Sequence, residues 1–388
     1  MSVEALSATR SAPARWLGLV PKWLAVSLAT VLFLMLTAEL IPVWQSTSPT
    51  PAAIVIALAV GLVASVSWTL RETRVDSARM YYYLQVIVRF GLSYIFIGYG
   101  LSKLLGIQFG PPTFFQLDKP VGTLPGIQLT WLFFGYSFAY GAFIALSQIA
   151  CSILLAFRRT YLLGACLLLP VIGNIVFVNF THGIPVKLNS TIYLIATLSL
   201  LVPELPRFKA LFWDHAPVPG KSFPALSPRY RGAVPLATAA FLAGAFAYQG
   251  WVLNDLAAPT RPGPVAQPVA GAWRVERCEP MAPTATPLVA CVDGPDRWQK
   301  VLFENRYGGK DGFIKFAEGY VITAYKVDPA RRSLTFESTK GRSEPFTGTY
   351  RIDRQADGDR LVLEGKLGPD PVRIHLVKER YRFPSITG

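Results

Sequence analysis

Arg89 and Lys103 bracket thirteen uncharged residues, FGLSYIFIGYGLS, within one long apolar run. At 3.6 residues per turn the two cations fall within about 40° of one helical face, roughly 21 Å apart along the axis. Lys103 lies near the end of the run, where a long side chain reaches interfacial water. Arg89 lies well inside, roughly 12 Å from the start of the run. A charge at that depth costs several kcal/mol unless it meets a partner, water or a ligand. Two readings follow: a functional site, or a hydrogen-bonded anchor between helices.

The next long apolar run places Gln148 at similar depth, on a broad face shared with Tyr140, Gly141 and Cys151. An arginine–glutamine contact leaves the cation unneutralised. Water, a main-chain carbonyl or a ligand oxygen must then complete its shell. Arg89, Gln148, Tyr94 and Asn174 are therefore the candidate ligand-binding residues, and a polar head group such as a quinone carbonyl is the fitting chemistry. Asn174 has its own alternative, because asparagine in lipid hydrogen-bonds to a neighbouring helix. Toward the other end of the same runs lie Glu39, Lys103, Asn179 and His182, with Lys187 close by. These form a candidate outer polar cluster, or simply face interfacial water.

Other chemistry is sparse. Cys151 and Cys166 flank the Arg158-Arg159 turn at equal distance, but without a C-x-x-C motif they read as small buried hydrophobes. The three histidines, His182, His215 and His375, fall in separate regions and cannot jointly hold a metal. No phosphate loop, G-x-S-x-G motif or pair of intramembrane carboxylates occurs. No catalytic residues and no metal ligands are assigned.

The elements that must position these residues are membrane spans. The 388 residues are 52% hydrophobic and only 16% charged, against about 25% charged in soluble domains. Charge is scarce before residue 200 and dense after 270. Seven runs approach or exceed the roughly 20 residues that cross a bilayer: 23–44, 51–70, 81–105, 136–157, 161–180, 188–202 and 235–253. The first is too long for a signal-peptide core and is expected to stay as an anchor. A net charge of +14 would suggest nucleic acid in a soluble protein. Here the excess lies in short loops, so no nucleic-acid partner is expected. Arg10, Arg15, Lys22, Arg71, Arg74, Arg79, Arg158, Arg159, Arg207, Lys209, Lys221, Arg229 and Arg231 all share one side if the spans alternate. Positive-inside bias puts the N-terminus in the cytoplasm and the C-terminus outside, with residues 1–22 as a cytoplasmic tail and 23–253 as the helical domain. The long Pro/Gly-rich segment 106–128 is then external, folded along the outer interface with the aromatic residues that follow it.

Residues 254–270 form a proline-rich spacer. From 271 to 388, short alternating segments recur at roughly ten-residue intervals, the pattern of an antiparallel barrel or sandwich. Gly271-Ala272-Trp273 resembles the G-x-W that opens lipocalin-like barrels, with Arg380 and Arg382 placed to cover the tryptophan. Such a barrel either holds a small apolar ligand or is filled by its own side chains. Cys278 and Cys291 are a candidate disulfide in an oxidising compartment.

The stretch from Arg89 through Phe96 and Gly100 to Lys103 resembles the R…F…G…K helix of DoxX-like membrane proteins. Gln148 to Gly164, with its basic turn, is similar to that family's next helix. Asn174 to Asn179, followed by Pro185-Val-Lys187, is similar to its later helix and outer loop. The resemblance covers about 81–205, a four-helix unit. It implies a bacterial inner-membrane location and, through relatives in thiosulfate:quinone oxidoreductases, a quinone or membrane lipid as ligand. Gln148 stands where the family often has glutamate, which removes an Arg–Glu ion pair. The function expected is a non-catalytic platform presenting an outer β-domain to a protein partner or lipophilic ligand. Its alternatives are a quinone-linked oxidoreductase subunit binding at Arg89 and Gln148, and a transporter.

Overall fold

The computed structural model describes residues 18–40, 51–71, 77–218, 232–257, 268–282, 290–304, 311–337, 344–356 and 358–381. The chain divides into two compact units, one of Met1–Leu104 with Ala142–Trp251, the other of Leu105–Gly141 with Val252–Gly388. Their helices, in chain order, are α1 (Leu19–Leu40), α2 (Pro51–Leu70), α3 (Ser77–Leu104), α4 (Phe114–Asp118), α5 (Gly126–Gly135), α6 (Phe138–Ala156), α7 (Tyr161–Thr181), α8 (Lys187–Leu201), α9 (Leu205–Phe212) and α10 (Ala233–Ala257).

Among the described residues, seven helices are long and apolar enough to cross a membrane: α1, α2, α3, α6, α7, α8 continuing into α9, and α10. The chain is a membrane protein. Leu32, Leu92, Ile97, Leu155, Leu168, Ala196 and Leu200 form the centre of the bundle. Phe33, Val63, Phe143, Phe177 and Trp251 are exposed on its surface, as helices bounded by hydrocarbon require. Lipid is as apolar as leucine, so close packing must hold such helices together. Two glycines permit it. A Cβ on Gly100 would come 2.6 Å from Ile149 of α6, and one on Gly164 would come 2.8 Å from the main-chain nitrogen of Leu155.

The second unit contains a closed antiparallel barrel of β1 (Gly271–Pro280), β2 (Lys300–Phe303), β3 (Asp311–Phe316), β4 (Gly319–Asp328), β5 (Ser333–Glu337), β6 (Phe346–Asp353), β7 (Arg360–Leu367) and β8 (Asp370–Lys378). Each strand pairs with the next, and β8 closes on β1 with Trp273 opposite Lys378. Closure leaves no sheet edge, which decides between barrel and sandwich. Trp273, Phe303, Tyr325, Phe336 and Phe346 are buried in one cluster. An eight-stranded barrel is just wide enough for side chains to fill, and these fill it. The cation over Trp273 is Lys378, with Nζ 5.7 Å from the ring centroid. It takes the role expected of Arg380 because it sits directly across the β1–β8 ladder; Arg382 lies outside the described residues. Cys278 and Cys291 are disulfide-bonded, with Cα atoms 4.9 Å apart.

Candidate functional site

In the bundle, α3 and α6 run antiparallel along a polar seam. Gly100 meets Ala145 and Ile149. Nearer the seam's other end, the Ser93 hydroxyl donates to the Ser152 carbonyl at 2.8 Å. One turn further, Arg89 Nε donates to the Leu155 carbonyl and one of its terminal nitrogens to the Ala156 carbonyl, both at 2.9 Å. Those carbonyls belong to the last turn of α6, where a helix leaves acceptors without intrahelical donors and carries partial negative charge. The guanidinium also lies 4.8 Å from the Tyr161 ring centroid, a cation–π contact. Tyr161 donates to Glu204 at 3.0 Å, and Glu204 pairs with Arg207 at 2.9 Å. The buried cation, only 3% exposed, is thus solvated by a helix end, an aromatic face and, beyond that, a buried carboxylate.

This corrects the expected Arg89–Gln148 contact. The arginine engages the end of α6, while Gln148 lies two turns further along, about 12 Å by helical rise. Gln148 is 0% exposed, and neither atom of its carboxamide has a hydrogen-bond partner among the described residues. Tyr94 is buried in the core on α3. Asn174 does not join these residues, because it is exposed on the outer face of α7.

The outer polar cluster is likewise dispersed. Lys103 is buried and donates to the Tyr99 carbonyl at 3.1 Å, with its ammonium 5.3 Å from the Tyr99 ring centroid. Snorkelling to water is therefore not its arrangement. Asn179 is buried, and its Nδ2 has no hydrogen-bond partner among the described residues. His182 is exposed, its Nδ1 2.9 Å from the Thr181 hydroxyl. The Glu39 side chain lies outside the described residues. Cys151 and Cys166 are free thiols, and no group of three or more potential metal ligands occurs among the described residues.

A second constellation, in the barrel unit, escaped the sequence reading. The segment 113–119 lies on the outer wall of the barrel. Thr113 caps α4, its hydroxyl accepting from Gln116 N–H while Gln116 accepts from Thr113 N–H. This capping box gives a five-residue helix a defined start. Phe115 stacks on Phe313, centroids 4.4 Å apart, and its N–H donates to Glu304 at 2.8 Å. Asp118 then accepts from Lys300 at 2.6 Å, Lys315 at 2.9 Å, Tyr320 at 2.6 Å and Tyr381 at 3.1 Å. Burial opposes ionisation of Asp118, but the hydrogen bonds from Lys300, Lys315 and Tyr320 outweigh it and hold the carboxyl below the ordinary aspartate value. Burial and Asp118 itself push the Tyr320 phenol up. Lys300 loses to burial but gains more from Asp118 and Glu379, so it is raised. The one available signal was that Asp118 is the sole acidic residue in 106–128.

These observations define a class: a polytopic membrane protein with a seven-helix apolar bundle and a self-filled, clasped β-barrel. No family model matches the chain, and no solved structure matches it. The uncharacterized protein YwoB of Bacillus subtilis strain 168 is 37% identical over 124 residues, which cover 32% of this chain and 79% of YwoB. The chain belongs to the same family as YwoB.

Proposed function

We propose that the chain is a DoxX-like protein of the bacterial cytoplasmic membrane, and that its bundle is a non-catalytic platform presenting the barrel outside the cytoplasm to a partner. The observation that carries this reading is the state of Arg89. Its donors already serve two main-chain carbonyls and its face an aromatic ring, so it acts as an inter-helix anchor. The barrel, filled by its own aromatic residues, offers its outer wall and loops for recognition. The orientation rests on the one-sided distribution of lysine and arginine.

The quinone-linked reading is retained for one reason. The buried carboxamide of Gln148, without a partner among the described residues, could hold a ligand carbonyl. Thiol labelling tests the platform's orientation, using Arg159→Cys or Thr349→Cys in a Cys151→Ala/Cys166→Ala background. A membrane-impermeant maleimide applied to spheroplasts should label position 349 before lysis and position 159 only afterwards. The reverse pattern would put the barrel in the cytoplasm and end the proposal.

A further inference from the structure

Three cations face outward in one row across the barrel wall. Arg274 on β1 lies opposite Lys300 on β2, and Lys300 lies opposite Lys315 on β3. Like charges directly opposite on neighbouring strands destabilise a sheet. The barrel's own Glu379 offsets two of them, bonding Lys300 at 2.6 Å and lying 3.9 Å from Arg274. Lys315 is paired with no carboxylate of the barrel among the described residues; its acidic partner is Asp118, at 2.9 Å. The wall is thus built around an anion that its strands do not supply. Beside Lys315, the outward rings of Phe313 and Tyr320 form an aromatic slot. Phe115 stacks on the first and meets the second edge-on, with centroids 4.4 and 5.0 Å away.

Segment 113–119 fills this site as a ligand does. The barrel closes, β8 on β1, without a strand from it. None of its side chains belongs to the barrel's buried core, and among the described residues no main-chain hydrogen bond joins it to a strand. Its main holds are the Phe115 ring in the slot, the Phe115 N–H on Glu304 at 2.8 Å, and the Asp118 carboxylate between the lysines. Folded domains hold short motifs in this manner, by an aromatic anchor and a charge set against a cluster of opposite sign. We propose that the β2–β3–β4 wall is a docking site for a peptide with an aromatic residue three positions before a carboxylate. Phe115-Gln-Leu-Asp118 is its resident occupant, displaced when a partner's segment of that chemistry binds. The inference rests on the reading of the barrel as the domain presented to a partner, and it names that partner's chemistry. The two fall separately, because thiol labelling reports which side of the membrane the barrel faces and peptide binding to the purified chain does not depend on it.

The test uses the full chain in detergent and a fluorescein-labelled synthetic peptide of residues 111–120, PPTFFQLDKP, read by fluorescence anisotropy. Phe115→Ala/Asp118→Asn in the chain vacates the site. That variant should bind the peptide saturably, about 10-fold or more tightly than the wild type, whose own segment competes from a local concentration of order millimolar. The same peptide carrying Asp118→Asn should bind roughly 100-fold more weakly. Adding Lys315→Glu to the vacated chain should abolish binding. A random peptide library panned on the vacated chain should return an aromatic residue three positions ahead of Asp or Glu. Hydrogen exchange of β1 to β8 reports whether the vacated barrel stays folded, and loss of its protection would make the segment part of the barrel and overturn the inference. So would the absence of saturable binding, equal binding by the wild type, indifference to Asp118→Asn in the peptide, or a library consensus lacking either residue.

Discussion

Asp118→Asn should release segment 113–119 from the barrel wall while leaving the barrel folded. The carboxylate's side chain is 3% exposed, and its lysine partners are 20% and 24% exposed. Removing one member of a buried ion pair costs roughly 3–5 kcal/mol. The lysines keep some water, and Lys300 keeps Glu379 at 2.6 Å, so the lower end, about 3 kcal/mol, is the working figure. At 1.4 kcal/mol per decade, that raises the open population of the segment about 100-fold. Hydrogen–deuterium exchange of the full chain reads it directly. Amides of 113–119 should lose about two orders of magnitude of protection, while those of β1 to β8 keep theirs. Acidification should mimic the mutation. Asp118 is depressed below the ordinary aspartate value of 3.8, so the clasp is at full strength above that value and is lost as pH falls through the clasped-state value. Unchanged exchange in the variant would refute the clasp. Collapse of the whole barrel's protection would show Asp118 to be part of its core stability.

Three further outcomes follow from the same geometry. Arg89→Ala should lower the stability of the bundle by about 3 kcal/mol, because it orphans two buried carbonyls; thermal unfolding in detergent measures it, and Arg89→Lys should recover little because an ammonium lacks the paired donors. Gln148→Leu should leave stability unchanged or raise it by about 1–3 kcal/mol, since it removes a buried carboxamide that has no partner among the described residues. A fall in melting temperature would show that something occupies the site. Cys278 and Cys291 close a loop of 13 residues, so replacing both with serine should cost the barrel about 3 kcal/mol by loop entropy, read as a drop in its unfolding midpoint.

The spans were legible because hydrocarbon demands long apolar runs. The barrel was legible because alternation and turn residues recur along 271–388. Even the expected ends of the helices needed only small shifts, as with α3, which starts at Ser77 where the apolar run suggests 81. What could not be read was the identity of partners. Arg89 is solvated by main-chain carbonyls and an aromatic face, groups that leave no sequence signature of pairing. Helical periodicity puts Asn174 on one face of α7 but does not say whether that face meets a neighbour. The Asp118 clasp joins residues up to 263 apart in the chain, beyond any local pattern. The expectation for Lys103 failed for a related reason: depth along a helix is readable, but which side its neighbours cover is not.

The claim that the bundle is a platform is tested most directly by mass spectrometry of organic extracts from gently purified protein, wild type beside Arg89→Ala and Gln148→Ala. The platform predicts the same bulk-lipid profile in all three, with Arg89→Ala differing only in stability. A stoichiometric quinone or single lipid species in the wild type, lost from both folded variants, would contradict it and make the α3–α6 seam a ligand site.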